Sequence, residues 1–407
     1  RQAYKTSFHL SLAFLLFYLF YPVHYYIVRL DDSVRPQVMS RLARSVAQTG
    51  NRFLSTQEGT FKTQILIVHE GFPKNEFYAR KALTCEAKSY YNLRGLNLDL
   101  PSFMITEKVG KCMEDYGNRM EDMHGDVQET IMDPLSKSLQ TSILAVMPEL
   151  ESVRVMCASP FESPTIEESI DRIANSGASR LVILPLQPHF GCLRSGLLLN
   201  EAVRCIDKTT VASKDDPSIR VVTHSPTEFK VSSIERWSTH PVMSNLWSNR
   251  LESMRSEIDA VIFVAPILRG NGRKDYERSV YASAERTISE TRLPFPWRVA
   301  FFNGWNQWDL PIRENIVSRM SHFKGKRIAI VPISSVVPSF DTISVLPRLL
   351  ESNEGAKVLS PMVNPIVVNG LTEVIKNHLL GRRSVQLQLK CDWCFRGDCD
   401  RTRDMLS

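Results

Sequence analysis

The chain lacks the features that mark several classes of protein. Its 407 residues contain eight cysteines, too few for a secreted disulfide framework, and no asparagine lies in an Asn-x-Ser/Thr glycosylation site. The net charge is +6, but no run of five or six basic residues occurs, so the sequence does not predict nucleic-acid binding. We expect a reducing compartment and a hydrophobic core large enough to fold without disulfides.

The N-terminal segment carries two signals that disagree. Residues 8–28 are almost purely apolar and aromatic, long enough for a membrane span. Residues 33–57 contain arginines, serines and threonines but no acid, as in a mitochondrial presequence. We expect translation to start at Met39, with 1–38 an apolar leader or upstream extension and 39–60 a presequence-like segment that is cleaved near Arg52–Ser55. A membrane anchor followed by a basic stalk is the alternative.

Beyond residue 61, short apolar runs alternate with amphipathic stretches. The runs typical of strands are Gln64–His69, Val153–Ala158, Leu181–Leu186, Val261–Ala265, Arg298–Phe302 and Arg327–Ile333. The helical patterns are Ile166–Ser176, Gly196–Lys208, His240–Ile258, Lys274–Arg292, Pro311–His322 and Pro365–Leu380. Continuous apolar runs suit parallel strands that are covered on both faces. The alternation predicts an α/β fold with two doubly wound parallel-sheet domains, whose ligands bind beyond the carboxyl ends of the strands.

Three cysteines near the C-terminus have the spacing of metal ligands. Cys391, Cys394 and Cys399 follow a C-x-x-C-x-x-x-x-C pattern, which brings three thiols together around one soft metal centre. Such a centre needs a fourth ligand. A zinc knuckle is excluded, because it would require a histidine in place of Cys399.

This cysteine pattern resembles the C-terminus of animal ferrochelatases. In that family the fourth cluster ligand lies in the middle of the chain, after a strand and a proline-containing turn, and Cys192 stands at the matching place. The resemblance implies a [2Fe-2S] cluster held by Cys192, Cys391, Cys394 and Cys399. A structural zinc site made by the same thiols is the alternative.

The resemblance extends from about Phe61 to the C-terminus. Lys62–Pro73 resembles the opening strand and turn of the ferrochelatases, and Ser233–Pro241 is similar to their I-D-R-W-P-T-H motif. The family implies two chelatase domains, which we assign to 61–210 and 211–380, and a cluster-binding extension at 381–407. It also implies haem biosynthesis or handling, porphyrin or haem as ligand, and peripheral association with the matrix side of the inner mitochondrial membrane. A homodimer is compatible with it.

The residues expected to perform the chemistry depart from the family pattern. Pro266 stands where the family has a histidine, and proline cannot accept a proton. In the family's His-Ile-Glu-Thr-Leu segment, this chain keeps one shortened carboxylate, Asp341, and Val345 replaces a further glutamate. Met156-Cys157 replaces an Arg-Tyr pair. We therefore expect iron insertion to be impaired or absent, as in a pseudoenzyme.

Several residues keep alternative interpretations. Asp341 is either a vestigial metal relay or a helix cap. His240 and Trp237 either support the pocket wall or a strand end, or take part in catalysis. His69 and Glu70 are candidates for a substitute acid–base pair, but adjacent strand residues point to opposite faces. The rival functions are a working ferrochelatase that uses substitute residues and a chelatase for another tetrapyrrole.

Overall fold

A computed structural model describes residues 62–92, 102–120, 127–150, 152–208, 210–212, 220–222, 230–269, 272–307, 312–313, 315–382 and 398–406. All of them belong to the unit Thr60–Ser407. The predicted leader, the presequence-like segment, and Cys391 and Cys394 lie outside the described residues. In the described part of the chain, no helix combines the length and apolar character needed to cross a membrane.

The strands form two four-stranded parallel sheets and one small antiparallel pair. The first sheet has the order β2-β1-β3-β6, and its strands are β1 (Thr63–Val68), β2 (Val153–Ala158), β3 (Arg180–Pro185) and β6 (Lys230–Ser233). The second has the order β10-β9-β7-β8, with β7 (Ala260–Pro266), β8 (Trp297–Phe302), β9 (Ile328–Pro332) and β10 (Ala356–Val358). The pair is β4 (Thr210–Ala212) and β5 (Arg220–Val222).

Helices connect and cover the strands. The α-helices of the described residues are α1 (Glu76–Asn92), α2 (Ser102–Met120), α3 (Asp133–Val146), α4 (Ile166–Ala174), α5 (Ser195–Asp207), α6 (Pro241–Ser253), α7 (Arg273–Glu290), α8 (Ile316–Met320), α9 (Leu346–Leu350), α10 (Pro365–Leu379) and α11 (Asp398–Leu406). Two π-helical turns, Gln128–Met132 and Asp341–Val345, precede α3 and α9, and a short 3-10 turn, Ser321–Phe323, follows α8.

Alternate residues of the first sheet pack into different parts of the core. Ile65 and Ile67 of β1 belong to the larger apolar cluster, which also contains the strands of the second sheet. Leu66 and Val68 point the other way, toward a smaller cluster formed with α4, α5 and Leu406 of α11. Both faces of the strand are therefore covered, which explains why β1 is apolar from Ile65 to Val68.

The predicted fold class is confirmed, because both four-stranded sheets are entirely parallel and are connected through helices. All six predicted strands are present, each within about one residue of the expected bounds. The predicted helix Pro311–His322 is shorter than expected, since α8 covers only Ile316–Met320. The boundaries of the two chelatase domains and of the extension stay predictions.

Candidate functional site

Segments that follow strands of both sheets converge on one small cavity. Its volume is about 50 Å³, and it is lined by residues just beyond β1, β3, β8 and β9. Parallel sheets bind ligands at this edge. The cavity therefore lies where the sequence predicted a site, at the carboxyl ends of the strands.

A buried cluster of charges adjoins this cavity. The Arg194 guanidinium, just before α5, donates through Nη2 to Glu70 Oε2 at 2.5 Å and to Asp341 Oδ2 at 3.4 Å. All three side chains are at most 12% exposed. The backbone N–H of Trp305 donates to Asp341 Oδ1 at 2.7 Å, which fixes the carboxylate toward the cluster. Asp341 is therefore neither isolated nor a cap of its own helix.

The backbone at Gly304 touches the same cluster. A Cβ atom at this position would lie 3.0 Å from Asp341 Oδ2 and 3.1 Å from Arg194 Nη1. These contacts are tight, so a larger residue would have to displace one of the two charged groups. The glycine lets the loop after β8 approach the ion pair.

His69 and Glu70 both line the strand-end cavity, although adjacent strand residues would point to opposite faces. The strand ends at Val68, and the chain turns at Gly71, where φ is 76°. His69 Nδ1 accepts a hydrogen bond from the Gly71 N–H at 3.2 Å. The alternation of side chains holds only inside a strand, and His69 and Glu70 lie beyond its end.

Burial makes the histidines of the cavity weak bases. It lowers the pKa of His69 to about 4, helped by the nearby Lys74 charge. It also lowers the pKa of His189 to about 3. His189 Nε2 lies 3.0 Å from Ser283 Oγ, and its ring stands edge-on to Tyr276. For Glu70 the pKa is raised by burial, against the opposing effect of Arg194.

The other residues predicted for the site have structural partners. His240 caps α6 by accepting from the Val242 N–H at 3.3 Å, and its Nε2 lies 3.8 Å from Glu373 of α10. It does not line the strand-end cavity. Trp237 donates through Nε1 to the Pro185 carbonyl at 3.0 Å and so supports the end of β3, as expected.

Pro266 and its neighbours offer no titratable side chain at the end of β7. Pro266 is buried, and its carbonyl accepts a hydrogen bond from the Tyr276 hydroxyl at 2.8 Å. Val345 is buried in the π-helical turn that Asp341 begins. Cys157 is buried on β2, where its thiol lies 3.5 Å from the Met132 carbonyl.

A larger cavity of about 580 Å³ lies between α1, α4, α5 and α11. Its buried wall includes Glu70, Glu86 and Arg194, and its exposed rim carries Lys81 and Arg401. Apolar side chains complete the lining, among them Pro160, Phe161, Leu193, Leu197 and Leu198. The volume lies in the range of small-molecule sites, about 300–1,000 Å³.

The sequence analysis missed Glu86 and Arg194. Glu86 is buried on α1, and its Oε2 has no hydrogen-bond partner. Burial raises its pKa to about 7, against the opposing charges of Arg269, Arg194 and Lys108. A signal for Glu86 was present, because it follows Ala79 and Ala82 at helical spacing on the buried face. Arg194 had no local signal.

Two of the four predicted cluster cysteines lie on neighbouring elements. Cys192 is half-buried just before α5, and Cys399 is half-buried in α11. Helix α11 packs against α5, where Asn200 Nδ2 lies 3.4 Å from Cys399 Sγ. Among the described residues, no group of three or more His, Cys, Asp or Glu side chains is arranged to hold a metal ion.

Comparisons with known proteins identify the family. The profile of the ferrochelatase family matches residues 129–378, which is more than half of the chain. The chain is 21% identical over 266 residues to "Ferrochelatase, mitochondrial" of Drosophila melanogaster, covering 60% of this chain and 65% of that protein. It is 20% identical over 242 residues to "Ferrochelatase" of Aquifex aeolicus, covering 56% and 74%. The chain belongs to the ferrochelatase family.

The relatives define the limits of this assignment. The matched part spans just under two thirds of the Drosophila protein, and both mitochondrial and bacterial ferrochelatases match. Among solved structures, CbiX, described as the terminal enzyme for biosynthesis of sirohaem in denitrifying bacteria, matches 77% of this chain with 12% identity and a TM-score of 0.39. That similarity is too low for a functional comparison. The family resemblance is confirmed, whereas the animal-type subtype stays a prediction.

Proposed function

We propose that this chain is a [2Fe-2S]-binding member of the ferrochelatase family that acts in haem biosynthesis or handling and inserts Fe²⁺ into protoporphyrin poorly or not at all. The observation that carries the proposal is the strand-end cavity, whose candidate bases are weak and whose carboxylates are bound to Arg194. By sequence resemblance, Pro266 replaces the family's histidine. The chain is then a pseudoenzyme that keeps a tetrapyrrole-binding fold.

Insertion of a metal requires removal of two pyrrole protons, so a usable base must reach the macrocycle. The buried imidazoles of His69 and His189, with pKa values of about 4 and about 3, bind a proton too weakly for this task. His240 lies away from the cavity, as the cap of α6. Loss of general-base assistance typically costs about 10²–10⁴ in rate.

Porphyrin or haem binding remains compatible with the fold. The cavity of about 580 Å³ combines apolar walls, formed by Phe161 and Leu197 among others, with basic side chains at its exposed rim. Lys81 and Arg401 at that rim suit the carboxylates of an amphipathic ligand. We therefore assign tetrapyrrole binding to this cavity and expect binding to survive where insertion does not.

The cluster assignment is supported by the donor set. Cys192 lies just before α5 and Cys399 lies in α11, which packs against α5, and both are half-buried. Cys391 and Cys394 precede α11 by a few residues. By contrast, burial raises the pKa of the Cys157 thiol far above its usual range, which makes it a poor ligand. A cluster bound to these four cysteines would attach the C-terminal extension to the first sheet.

We also propose a mitochondrial location, at the matrix side of the inner membrane. The acid-free segment 33–57 supports it, as do the mitochondrial relatives from Drosophila melanogaster and Xenopus laevis. Association would be peripheral, and a homodimer is proposed by the same family resemblance. N-terminal sequencing of the mature protein tests the predicted cleavage near Arg52–Ser55.

The experiment that tests the function separates binding from chemistry. Purified protein is mixed with protoporphyrin IX without oxygen, and quenching of intrinsic tryptophan fluorescence reports binding. Fe²⁺ is then added, and the absorption change from free-base to metallated porphyrin reports insertion. We expect saturable binding with little metallation. Failure to bind any tetrapyrrole would contradict the assignment of the cavity.

One observation favours a working ferrochelatase as the second candidate. The Glu86 carboxyl lines the larger cavity, has an unpartnered buried oxygen, and has a pKa of about 7. A carboxyl of that pKa is suited to proton transfer near neutrality. If the protein inserts iron, Glu86→Gln should abolish most of the activity and His240→Gln should not.

A further inference from the structure

The Arg194 cluster joins three segments that are far apart in the sequence. Glu70 follows β1, Arg194 precedes α5, and Asp341 begins a π-helical turn after β9. One guanidinium nitrogen, Nη2, serves both carboxylates. The arrangement therefore consists of a buried cation held between two buried carboxylates from opposite sheets.

Two converging carboxylates are the ligands that a hard divalent cation prefers. The Trp305 N–H holds Asp341 in this orientation, so the pair of carboxylates is preorganised. The adjoining cavity of about 50 Å³ has space for the waters that would complete a coordination shell. The site therefore has the ligands and the space for a metal ion, but the position between the carboxylates is taken by the Arg194 guanidinium.

The fit of the guanidinium is incomplete. Arg194 Nη1 is buried without a hydrogen-bond partner, although an arginine that serves only to bind carboxylates usually pairs through both terminal nitrogens. Nη1 lies instead beside the backbone of Gly304. Arg194 therefore does not form the ion pair through two nitrogens that its guanidinium could make with a carboxylate.

We propose that the Arg194 guanidinium takes the place of a divalent cation between Glu70 and Asp341 and thereby excludes metal ions from the strand-end cavity. The inference deepens the proposed function and rests on it in one respect, since it explains why Fe²⁺ as substrate is not accepted at this edge. Removal of the guanidinium should turn the same carboxylates into a metal site. The test contains no porphyrin, so its result is independent of the insertion assay.

The probe is Mn²⁺, which prefers oxygen ligands to thiolates and therefore avoids the cysteines. Free Mn²⁺ is measured by electron paramagnetic resonance in titrations of wild type, Arg194→Ala and Arg194→Lys. We expect Arg194→Ala to bind Mn²⁺ about tenfold or more tightly than wild type. Arg194→Lys keeps the charge and should gain nothing. The gain should disappear in Arg194→Ala/Asp341→Asn.

Arg348→Ala is the matched control, because it also removes a partly buried guanidinium from an ion pair, here with Asp115. It should not create Mn²⁺ binding. A folded Arg194→Ala protein with wild-type affinity would overturn the proposal, as would a wild-type Mn²⁺ site that Asp341→Asn abolishes. If Arg194→Ala folds incompletely, its folded fraction is measured by circular dichroism with and without Mn²⁺. In that case, Mn²⁺ should increase the folded fraction of Arg194→Ala more than it increases the folded fraction of Arg194→Ala/Asp341→Asn. An equal increase in the two variants would refute the inference.

Discussion

Two buried histidines and two buried glutamates line the two cavities, and burial shifts the pKa values of the two residue types in opposite directions. Loss of hydration disfavours the charged form of each group, so the pKa values of His69 and His189 fall while those of Glu70 and Glu86 rise. All four groups are thereby driven toward neutrality. Arg194 opposes this shift at Glu70, because its charge favours the ionised carboxylate.

At the residue scale, Glu86 should make stability fall as pH rises. Burial raises the pKa of Glu86 from 4.5 to about 7. The contribution of the protonated carboxyl to the free energy of unfolding is therefore fully present below pH 4.5 and is lost as pH rises through 7. The loss is about 3 kcal/mol, at 1.36 kcal/mol per pKa unit. Glu86→Gln cannot ionise and should therefore gain stability relative to wild type between about pH 5 and pH 8.

Urea denaturation at several pH values measures this difference. The two histidines contribute the opposite slope, since their stabilisation is present above 6.5 and is lost as pH falls toward their lowered values. Both histidines are present in wild type and in Glu86→Gln, so their effect cancels in the difference between the two proteins. Glu107→Gln, at an exposed position of α2, is the control. Parallel profiles for wild type and Glu86→Gln would contradict the account.

At the element scale, α6 and α10 are in contact through Gly370. A Cβ atom there would lie 2.2 Å from Val242 Cγ2 and 2.4 Å from Val242 Cβ. Gly370→Ala should thus destabilise the protein by about 1–3 kcal/mol through overpacking, although alanine favours helix formation. Val242→Ala removes only the Cγ contacts and should recover part of this loss in the double variant.

The matched control is Gly117→Ala on α2, where a Cβ atom would meet nothing within 4 Å. This change should stabilise the protein by about 0.5–1 kcal/mol, because only the helix propensity differs. The free energies come from urea denaturation. Equal effects of the two glycine substitutions would show that the contact between α6 and α10 is not as tight as described.

Helix α11 is held on α5 by polar contacts, by the packing of Leu406 into the smaller apolar cluster and, in our proposal, by the iron–sulfur cluster. Arg401 pairs with Asp207 at 2.6 Å, and Thr402 donates to Asn200 Oδ1 at 2.7 Å. The Arg401–Asp207 pair is open to water, which weakens an ion pair. We expect the iron–sulfur cluster to add a further attachment, because metal ligation couples to folding.

Changing Cys192, Cys391, Cys394 or Cys399 to serine should accordingly remove iron and sulfide together. It should also increase hydrogen exchange in α11, because one of the attachments of this helix is lost. Cys85→Ser is the control and should leave the brown colour intact. Analysis of metal and acid-labile sulfide in the purified protein distinguishes a [2Fe-2S] cluster from a structural zinc site. Stoichiometric zinc without sulfide would refute the [2Fe-2S] assignment.

At the scale of the whole molecule, the parallel sheets were predictable because their longer strands consist mostly of apolar residues. The short edge strands β6 and β10 escaped prediction, since Lys230–Ser233 is polar and Ala356–Val358 has only three residues. The cysteine pattern was visible because its spacing is local. The ion pair of Arg194 was not, since Glu70 and Asp341 are 124 and 147 residues away in the chain.

The whole-site substitution Pro266→His/Asp341→Glu/Val345→Glu tests whether a latent active site survives. Pro266→His alone should restore little activity, because Arg194 would still bind the carboxylates and Met156 still replaces the family's arginine. Positioning of the macrocycle is itself worth several kcal/mol. We expect the triple variant to exceed wild type in iron insertion while remaining slow. Full activity of Pro266→His alone would contradict this.

The most direct measurement is the rate of Fe²⁺ insertion into protoporphyrin IX by the purified wild-type protein, without oxygen, beside Drosophila melanogaster ferrochelatase under the same conditions. The account predicts a rate lower by about 10²–10⁴, as expected when general-base assistance is lost. Porphyrin binding, followed in the same samples, should persist. A rate comparable with that of the Drosophila enzyme would contradict the central claim and would direct attention to the Glu86 carboxyl as the replacement base.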